Sequence, residues 1–158
     1  MPKIDLSAVP VHTGSGYPAP YADAMEGRSS LRVGDAGGLT QFGANIVILA
    51  PGARSSLRHW HENQDEFVIV LQGACTLIED DGPTILQAGD CASFKAGVAN
   101  GHCIANHTDR EARFLVIGTR TLTETAWYSD IDMMVRVENG QFDFTHKDGT
   151  PFREKQDD

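Results

Sequence analysis

The chain has 158 residues, of which 41% are hydrophobic and 22% charged, with a formal net charge of −9 at pH 7. These values predict a single globular domain, and the negative charge argues against nucleic-acid binding, which uses basic surfaces. No apolar run is long enough to span a membrane, the N-terminus lacks a signal-peptide pattern, and three cysteines in no disulfide-like spacing favour a reducing compartment, so we expect a cytoplasmic protein without membrane contact.

Residues 1–42 are predicted to form an N-terminal arm that packs on the rest of the chain. Its first 38 residues are rich in Gly, Pro, Ala and Ser, which favours an extended segment with one short helix near residues 22–26. From residue 43 the pattern changes to short apolar runs separated by turns, which predicts an all-β sandwich or barrel. The predicted strands are residues 45–50, 67–72, 75–79, 84–87, 103–105 and 113–119.

The segment that follows, residues 121–158, is predicted to be a C-terminal extension of the barrel core at 43–120. Aromatic residues occur at several points along it, so we expect it to pack onto the barrel. Only the last few residues, 154–158, are expected to be flexible.

The residues that carry chemistry are His59 and His61, then Glu66, then His102 about forty positions further on. If His59 and His61 lie on a strand, both side chains point to the same face, because side chains alternate with period two. Three neutral imidazoles and one carboxylate suit a divalent transition metal, with coordination positions left open for water, substrate or dioxygen. An HxH pair is common on surfaces, so the pattern around it decides its meaning.

That pattern consists of two blocks with glycines at fixed positions. The blocks read Gly52-x6-His59-x-His61-x4-Glu66-x6-Gly73 and Gly89-x7-Gly97-x4-His102-x3-Asn106.

These two blocks resemble the two sequence motifs of the cupin superfamily. The resemblance implies a double-stranded β-helix, or jelly roll, in which His59, His61, Glu66 and His102 converge inside a small barrel. It also implies one divalent metal ion per chain: zinc, manganese, iron or nickel. The chain departs from the motifs in the length of two turns and in Lys95, where proline is typical. We expect these changes to alter loop shape without displacing the ligands.

The arm and the tail are similar to those of small single-domain bacterial cupins, some of which carry a sugar-phosphate isomerase label. The resemblance therefore implies a metalloenzyme that acts as a Lewis acid on a small hydroxy-carbonyl compound. An iron-dependent dioxygenase and a non-enzymatic module that binds or senses a small molecule stay open. No catalytic residue is assigned. Arg54, Arg58 and Lys95 flank the motifs and either hold an anionic group at the barrel mouth or are solvated surface residues.

The cysteines do not indicate a nucleophile. Cys103 directly follows His102 and should point away from the metal on a strand, Cys75 lies in an apolar strand, and Cys91 is placed in a turn. Neither Cys75 nor Cys91 has a neighbouring His or Lys in sequence that would activate the thiol, and a structural role is predicted for Cys103.

Side-chain alternation along residues 66–71 predicts an assembly. If Glu66 faces the interior, the residues that face outward are Phe67, Ile69 and Leu71, a wholly apolar row where a solvated face would alternate with polar residues. The arm, the tail or a second subunit must cover this row, unless the strand is buried within a two-layer sandwich. We expect a homodimer to which the arm or the tail contributes.

Overall fold

The computed structural model describes residues 2–152, and in that range the structure is almost entirely β. Short helical turns cover Leu6–Ala8, Ala22–Met25 and Val33–Ala36 (α1), and none of the helices in the described range is long and apolar enough to cross a membrane. The strands are β1 (Val11–Thr13), β2 (Arg28–Leu31), β3 (Phe42–Leu49), β4 (His59–His61), β5 (Glu66–Gln72), β6 (Ala74–Glu79), β7 (Gly82–Gln87), β8 (Cys91–Phe94), β9 (Cys103–Ala105), β10 (Ala112–Thr119), β11 (Thr123–Tyr128), β12 (Met134–Glu138) and β13 (Gln141–Thr145).

The first layer is a six-stranded antiparallel sheet with the order β1-β2-β3-β10-β5-β8. At its centre the register aligns Phe114 of β10 with Val47 on one side and Val70 on the other. All three side chains are buried, at 2% exposure or less, and form the middle of the core. Side-chain alternation thus turns one face of this sheet inward, as expected for a half-buried antiparallel sheet.

The second layer contains β7-β6-β9 and β13-β12-β11-β4. A single bridge between His59 and His102 joins the two groups of strands edge to edge. The side chains that this layer adds to the core come from β6, β7 and β9 and are Cys75, Leu77, Leu86 and Ile104. Two antiparallel layers around one apolar core confirm the predicted all-β fold.

A second apolar cluster attaches both ends of the chain to the layer that contains β4. Buried side chains of the extension, among them Tyr128 and Met133, pack against Tyr17 of the arm and Phe144 of β13. The rings of Tyr17 and Tyr128 meet edge to face at 5.5 Å. The arm and the extension are therefore ordered because they bury aromatic surface against each other. Residues 154–158, predicted to be flexible, lie outside the described range, as does Met1.

All six predicted strands are present, but the sequence patterns missed others. Placing Cys91 in a turn was wrong, because it begins β8 and pairs with Ile69. The arm contains two strands as well as the short helical turn predicted near residues 22–26, and its β2 pairs with β3 from Arg28 to Leu31. A polar strand such as Arg28–Leu31 forms because the edge of β3 presents backbone N–H and C=O groups that need partners.

Alternation along β5 is as predicted. Val68 and Val70 are 2% and 1% exposed, whereas Phe67 and Leu71 are 41% and 48% exposed in the single chain. Within residues 2–152, neither the arm nor the extension covers these two outward side chains.

Candidate metal centre

The site is built where β4 meets β9. His59 and His102 lie opposite each other, and their backbones exchange two hydrogen bonds, from His59 N to His102 O at 3.2 Å and from His102 N to His59 O at 2.9 Å. On its other edge β4 pairs with β11, so that His59 faces Tyr128 and His61 faces Ala126. The bridge between His59 and His102 explains how two histidines far apart in sequence become neighbours.

Glu66 comes from the opposite layer and completes the cluster. It is the first residue of β5, and its Oε2 lies 2.8 Å from Nε2 of His102 and 3.5 Å from Nε2 of His61. Nε2 of His59 lies 3.1 Å from Nε2 of His61. One donor atom from each of His59, His61 and Glu66 falls within 4.8 Å of the others. His102 joins this trio through its hydrogen bond with Glu66.

The donor atoms fit a divalent ion. Nδ1 of His59 donates to the carbonyl oxygen of Leu57 at 2.8 Å, because a carbonyl can only accept, and Nε2 is therefore left with a lone pair. Two imidazole nitrogens that bind one ion at about 2.1 Å lie roughly 3.0 Å apart in octahedral geometry and roughly 3.4 Å apart in tetrahedral geometry. The 3.1 Å between His59 and His61 falls in this range. The residues predicted from the sequence therefore fit a metal site, with the assignment of His102 as the fourth ligand still a prediction.

Burial and mutual contacts set the charges of the cluster. Burial, helped by the neighbouring His61, lowers the pKa of His59 to about 4, so its imidazole is neutral at physiological pH. Burial opposes the charged form of His61, but the carboxylates of Glu124 and Glu66 outweigh it and raise the pKa of His61 to about 9. Burial also opposes ionisation of Glu66, yet hydrogen bonds with His102 and His61 hold the pKa of its carboxyl well below the usual range. An ionised carboxylate among imidazoles is a site that attracts a divalent cation.

A cavity of about 190 Å³ opens onto His61 and His102. Its volume corresponds to about six water molecules, so it suits a small polar molecule rather than a large ligand. Besides the two histidines, its chemistry is set by polar and charged residues that line it: Gln64, Glu79, Ser93, Lys95 and Asn100.

The three residues predicted to bind an anionic group differ in position and contacts. Lys95 lines the cavity, as a residue that holds an anionic group would. Arg54 is exposed and is not among the lining residues. The side chain of Arg58 is 16% exposed and forms ion pairs with Asp130 at 2.8 Å and with Asp80. Its guanidinium therefore ties the extension to the β6–β7 turn, and only Lys95 fits the predicted anion-binding role.

Phe94 and Glu124 lie beside candidate ligands but were not predicted from the sequence to be site residues, and the same holds for Glu79 in the cavity wall. The ring of Phe94 stacks on the imidazole of His102 at 3.5 Å, and the carboxylate of Glu124 lies behind His61. Phe94 was missed because β8 was not predicted to be a strand. Glu124 was missed because no strand was assigned in the extension.

Comparison with known proteins agrees with this geometry. A family model described as "Cupin domain" matches residues 45–118. The chain is 57% identical to a protein of Silicibacter pomeroyi DSS-3 whose crystal structure is described as "sugar phosphate isomerase from a cupin superfamily". That match covers 98% of this chain and 99% of the other, with a TM-score of 0.94. No curated protein matches the sequence.

More distant structures share the fold alone. A protein of Acidithiobacillus ferrooxidans is 24% identical over 88% of this chain and 96% of its own, with a TM-score of 0.72. The polyketide cyclase RemF of Streptomyces resistomycificus is 17% identical over 75% of this chain and 79% of its own, with a TM-score of 0.59. The two-layer antiparallel fold is therefore a jelly roll, as predicted. The chain belongs to the cupin superfamily.

Proposed function

We propose that the protein is a metal-dependent isomerase that acts on a small phosphorylated sugar or a similar anionic hydroxy-carbonyl compound. The supporting observation is the cavity next to His61 and His102, whose lining includes a cation, Lys95, and a carboxylate outside the ligand cluster, Glu79. The Silicibacter pomeroyi relative, named as a sugar phosphate isomerase, supports the same substrate class.

His59, His61, Glu66 and His102 would hold one divalent ion, with zinc, manganese, iron and nickel as the candidates. When bound, the ion acts as a Lewis acid on a substrate carbonyl. The ion would lie beside the cavity, because the proposed ligands His61 and His102 also line it.

Glu79 is proposed as the group that moves the proton. It ends β6, and Nδ2 of Asn100 donates to its Oε1 at 3.2 Å, which holds the carboxylate in place. In a sugar isomerisation a base removes a proton from the carbon next to the carbonyl and returns it to the former carbonyl carbon. Lys95 would pair with the phosphate, and the apolar side chains of Phe94 and Val98 would reduce access of water.

The test uses metal-loaded protein and a panel of sugar phosphates of roughly three to five carbons, the size that about six waters of volume suggests. Nuclear magnetic resonance in deuterated water follows both isomerisation and exchange of the carbon-bound proton. We expect Glu79→Gln to slow both by about 10²–10⁴-fold and to retain the metal. We expect Lys95→Ala to raise KM for phosphorylated substrates by about tenfold or more.

Matched controls are Glu138→Gln and Lys147→Ala, which remove the same charges from exposed positions of the extension. If Glu79→Gln exchanged the carbon-bound proton as fast as the unaltered protein, the proposed role of Glu79 would be wrong. Oxygen uptake by the iron-loaded protein would favour the dioxygenase. Saturable binding without turnover or exchange across the panel would favour the non-enzymatic binding module.

We also propose that two chains pair through the outer face of the six-stranded sheet. The register places outward residues of β5 beside those of β10 and β3, so the exposed Phe67 and Leu71 continue an apolar surface. The residues that complete this surface are Ile46, Ile48, Ile69, Leu115 and Ile117. A face of this kind on an antiparallel sheet supports an interface, and β1 of the arm lies at its edge with Val11 62% exposed.

Sedimentation equilibrium at micromolar concentration tests the dimer. A stable interface buries at least about 1,200 Å² in total, and we expect the mass of two chains. Leu71→Lys should shift the protein toward the monomer, whereas Leu122→Lys, at a residue 78% exposed outside the sheet, should not. A mass of one chain for the unaltered protein would refute the proposal.

A further inference from the structure

Glu124 is a carboxylate buried behind the strand that carries the metal ligands. It lies on β11, which pairs with β4, and its side chain is 1% exposed. The carboxylate accepts hydrogen bonds from the backbone N–H of Glu62 at 2.8 Å and of Asn63 at 3.0 Å. Burying a carboxylate is costly unless hydrogen bonds and a charged partner compensate for the lost water. The contacts of this carboxylate therefore indicate a role beyond packing.

The group that faces this carboxylate is His61. Its Nδ1 lies 3.8 Å from Oε1 of Glu124, a separation longer than a hydrogen bond. Within residues 2–152 this nitrogen is buried and has no hydrogen-bond partner. The other ring nitrogen, Nε2, faces His59 and Glu66. The imidazole of His61 thus lies between two carboxylates, one on each of its nitrogens.

We propose that Glu124 is a positioning residue for the metal site, which accepts the Nδ1–H of His61 and so directs the lone pair of Nε2 toward the ion. A histidine ligand with its second nitrogen bonded to a carboxylate is held in one tautomer and one ring orientation. A small rotation of the ring, when Nε2 is drawn to the ion, would close the gap of 3.8 Å. The role depends on metal binding by His61 and not on the isomerase reaction.

The backbone contacts of Glu124 extend this role to a second ligand. Glu62 and Asn63 belong to the turn that links His61 on β4 to Glu66 on β5. By accepting hydrogen bonds from two amides of this turn, one carboxylate fixes the path between two candidate ligands that come from opposite layers. The extension, from which none of the four candidate ligands comes, thereby sets the geometry of the site.

The experiment measures affinity for zinc by competition with a chelator, using the full-length protein. We expect Glu124→Gln to weaken binding by about 10–100-fold. The glutamine side chain has one acceptor oxygen instead of two, so it cannot accept from two backbone N–H groups and from His61, and it carries no negative charge. Glu138→Gln, an exposed glutamate on the neighbouring strand β12, is the matched control and should bind as the unaltered protein does. Cobalt-loaded samples should show an altered d–d spectrum only in Glu124→Gln.

A spectroscopic measurement separates positioning from general stability. In histidine-¹⁵N-labelled, zinc-loaded protein, His61 should have a protonated Nδ1 and a metal-bound Nε2, and this needs no variant that might misfold. Coordination through Nδ1, or affinity of Glu124→Gln within about threefold of the unaltered protein, would overturn the role. Unaltered protein that binds no metal would overturn the site and the role together. Metal binding without isomerisation would remove only the proposed reaction.

Discussion

Lowering the pH should weaken metal binding by protonating His61. The pKa of metal-free His61 is about 9, raised by Glu124 and Glu66 against the effect of burial, so its ring is almost fully protonated at pH 7. The ion must displace that proton, because a metal ligand needs an unprotonated nitrogen. Burial lowers the pKa of His59 to about 4 and hydrogen bonds depress that of Glu66, so neither group adds a proton in this range.

The magnitude follows from these values. Binding at pH 7 should release about one proton, and affinity should fall by about tenfold for each pH unit below the pKa of His61, or roughly 100-fold between pH 8 and pH 6. Titration calorimetry in two buffers with different ionisation enthalpies counts the proton directly. Variants His12→Gln and His146→Gln control for histidines outside the site. A proton count near zero at pH 7, with affinity independent of pH, would refute the reasoning.

Two other predictions concern the candidate ligands and the close contact between Gly101 and Ser129. Replacing His59 and His61 together by alanine should abolish stoichiometric metal in elemental analysis, and a full equivalent retained would refute the ligand assignment. Gly101→Ala should destabilise the protein by about 1–3 kcal/mol in chemical denaturation, because a Cβ there would collide with the side chain of Ser129. Gly16→Ala, where the new Cβ meets only an ordinary contact, should change stability little; equal losses would refute this explanation.

The sequence indicated His59, His61 and Glu66 through local spacing, whereas the distant His102 was added through the resemblance to the second cupin motif. His59 and His61 are two apart on a strand, and Glu66 opens an apolar run whose alternation also placed Val68 and Val70 in the core correctly. Side-chain period and turn residues are properties of neighbouring positions, which a sequence displays directly.

The environment of the ligands depends on pairings that no local pattern encodes. In β11 the buried face consists of Glu124, Ala126 and Tyr128. In a sequence, a glutamate indicates an exposed position, so the alternation in residues 123–128 does not predict a strand with one buried face. Its burial becomes understandable only when β4 is beside it and His61 faces its carboxylate. Arg58 is similar, since its partners Asp80 and Asp130 are distant in sequence.

The residues outside the matched cupin domain are therefore part of the candidate site. The family model covers residues 45–118, yet the strand with His59 and His61 has β11 of the extension along one edge. Tyr128 lies 5.5 Å from the ring of His59, and Tyr17 of the arm packs against Tyr128 and accepts the N–H of Leu57, whose carbonyl in turn accepts from His59. Hydrogen bonds linked in this way orient one another. In this chain the arm and the extension thus both support the candidate ligands.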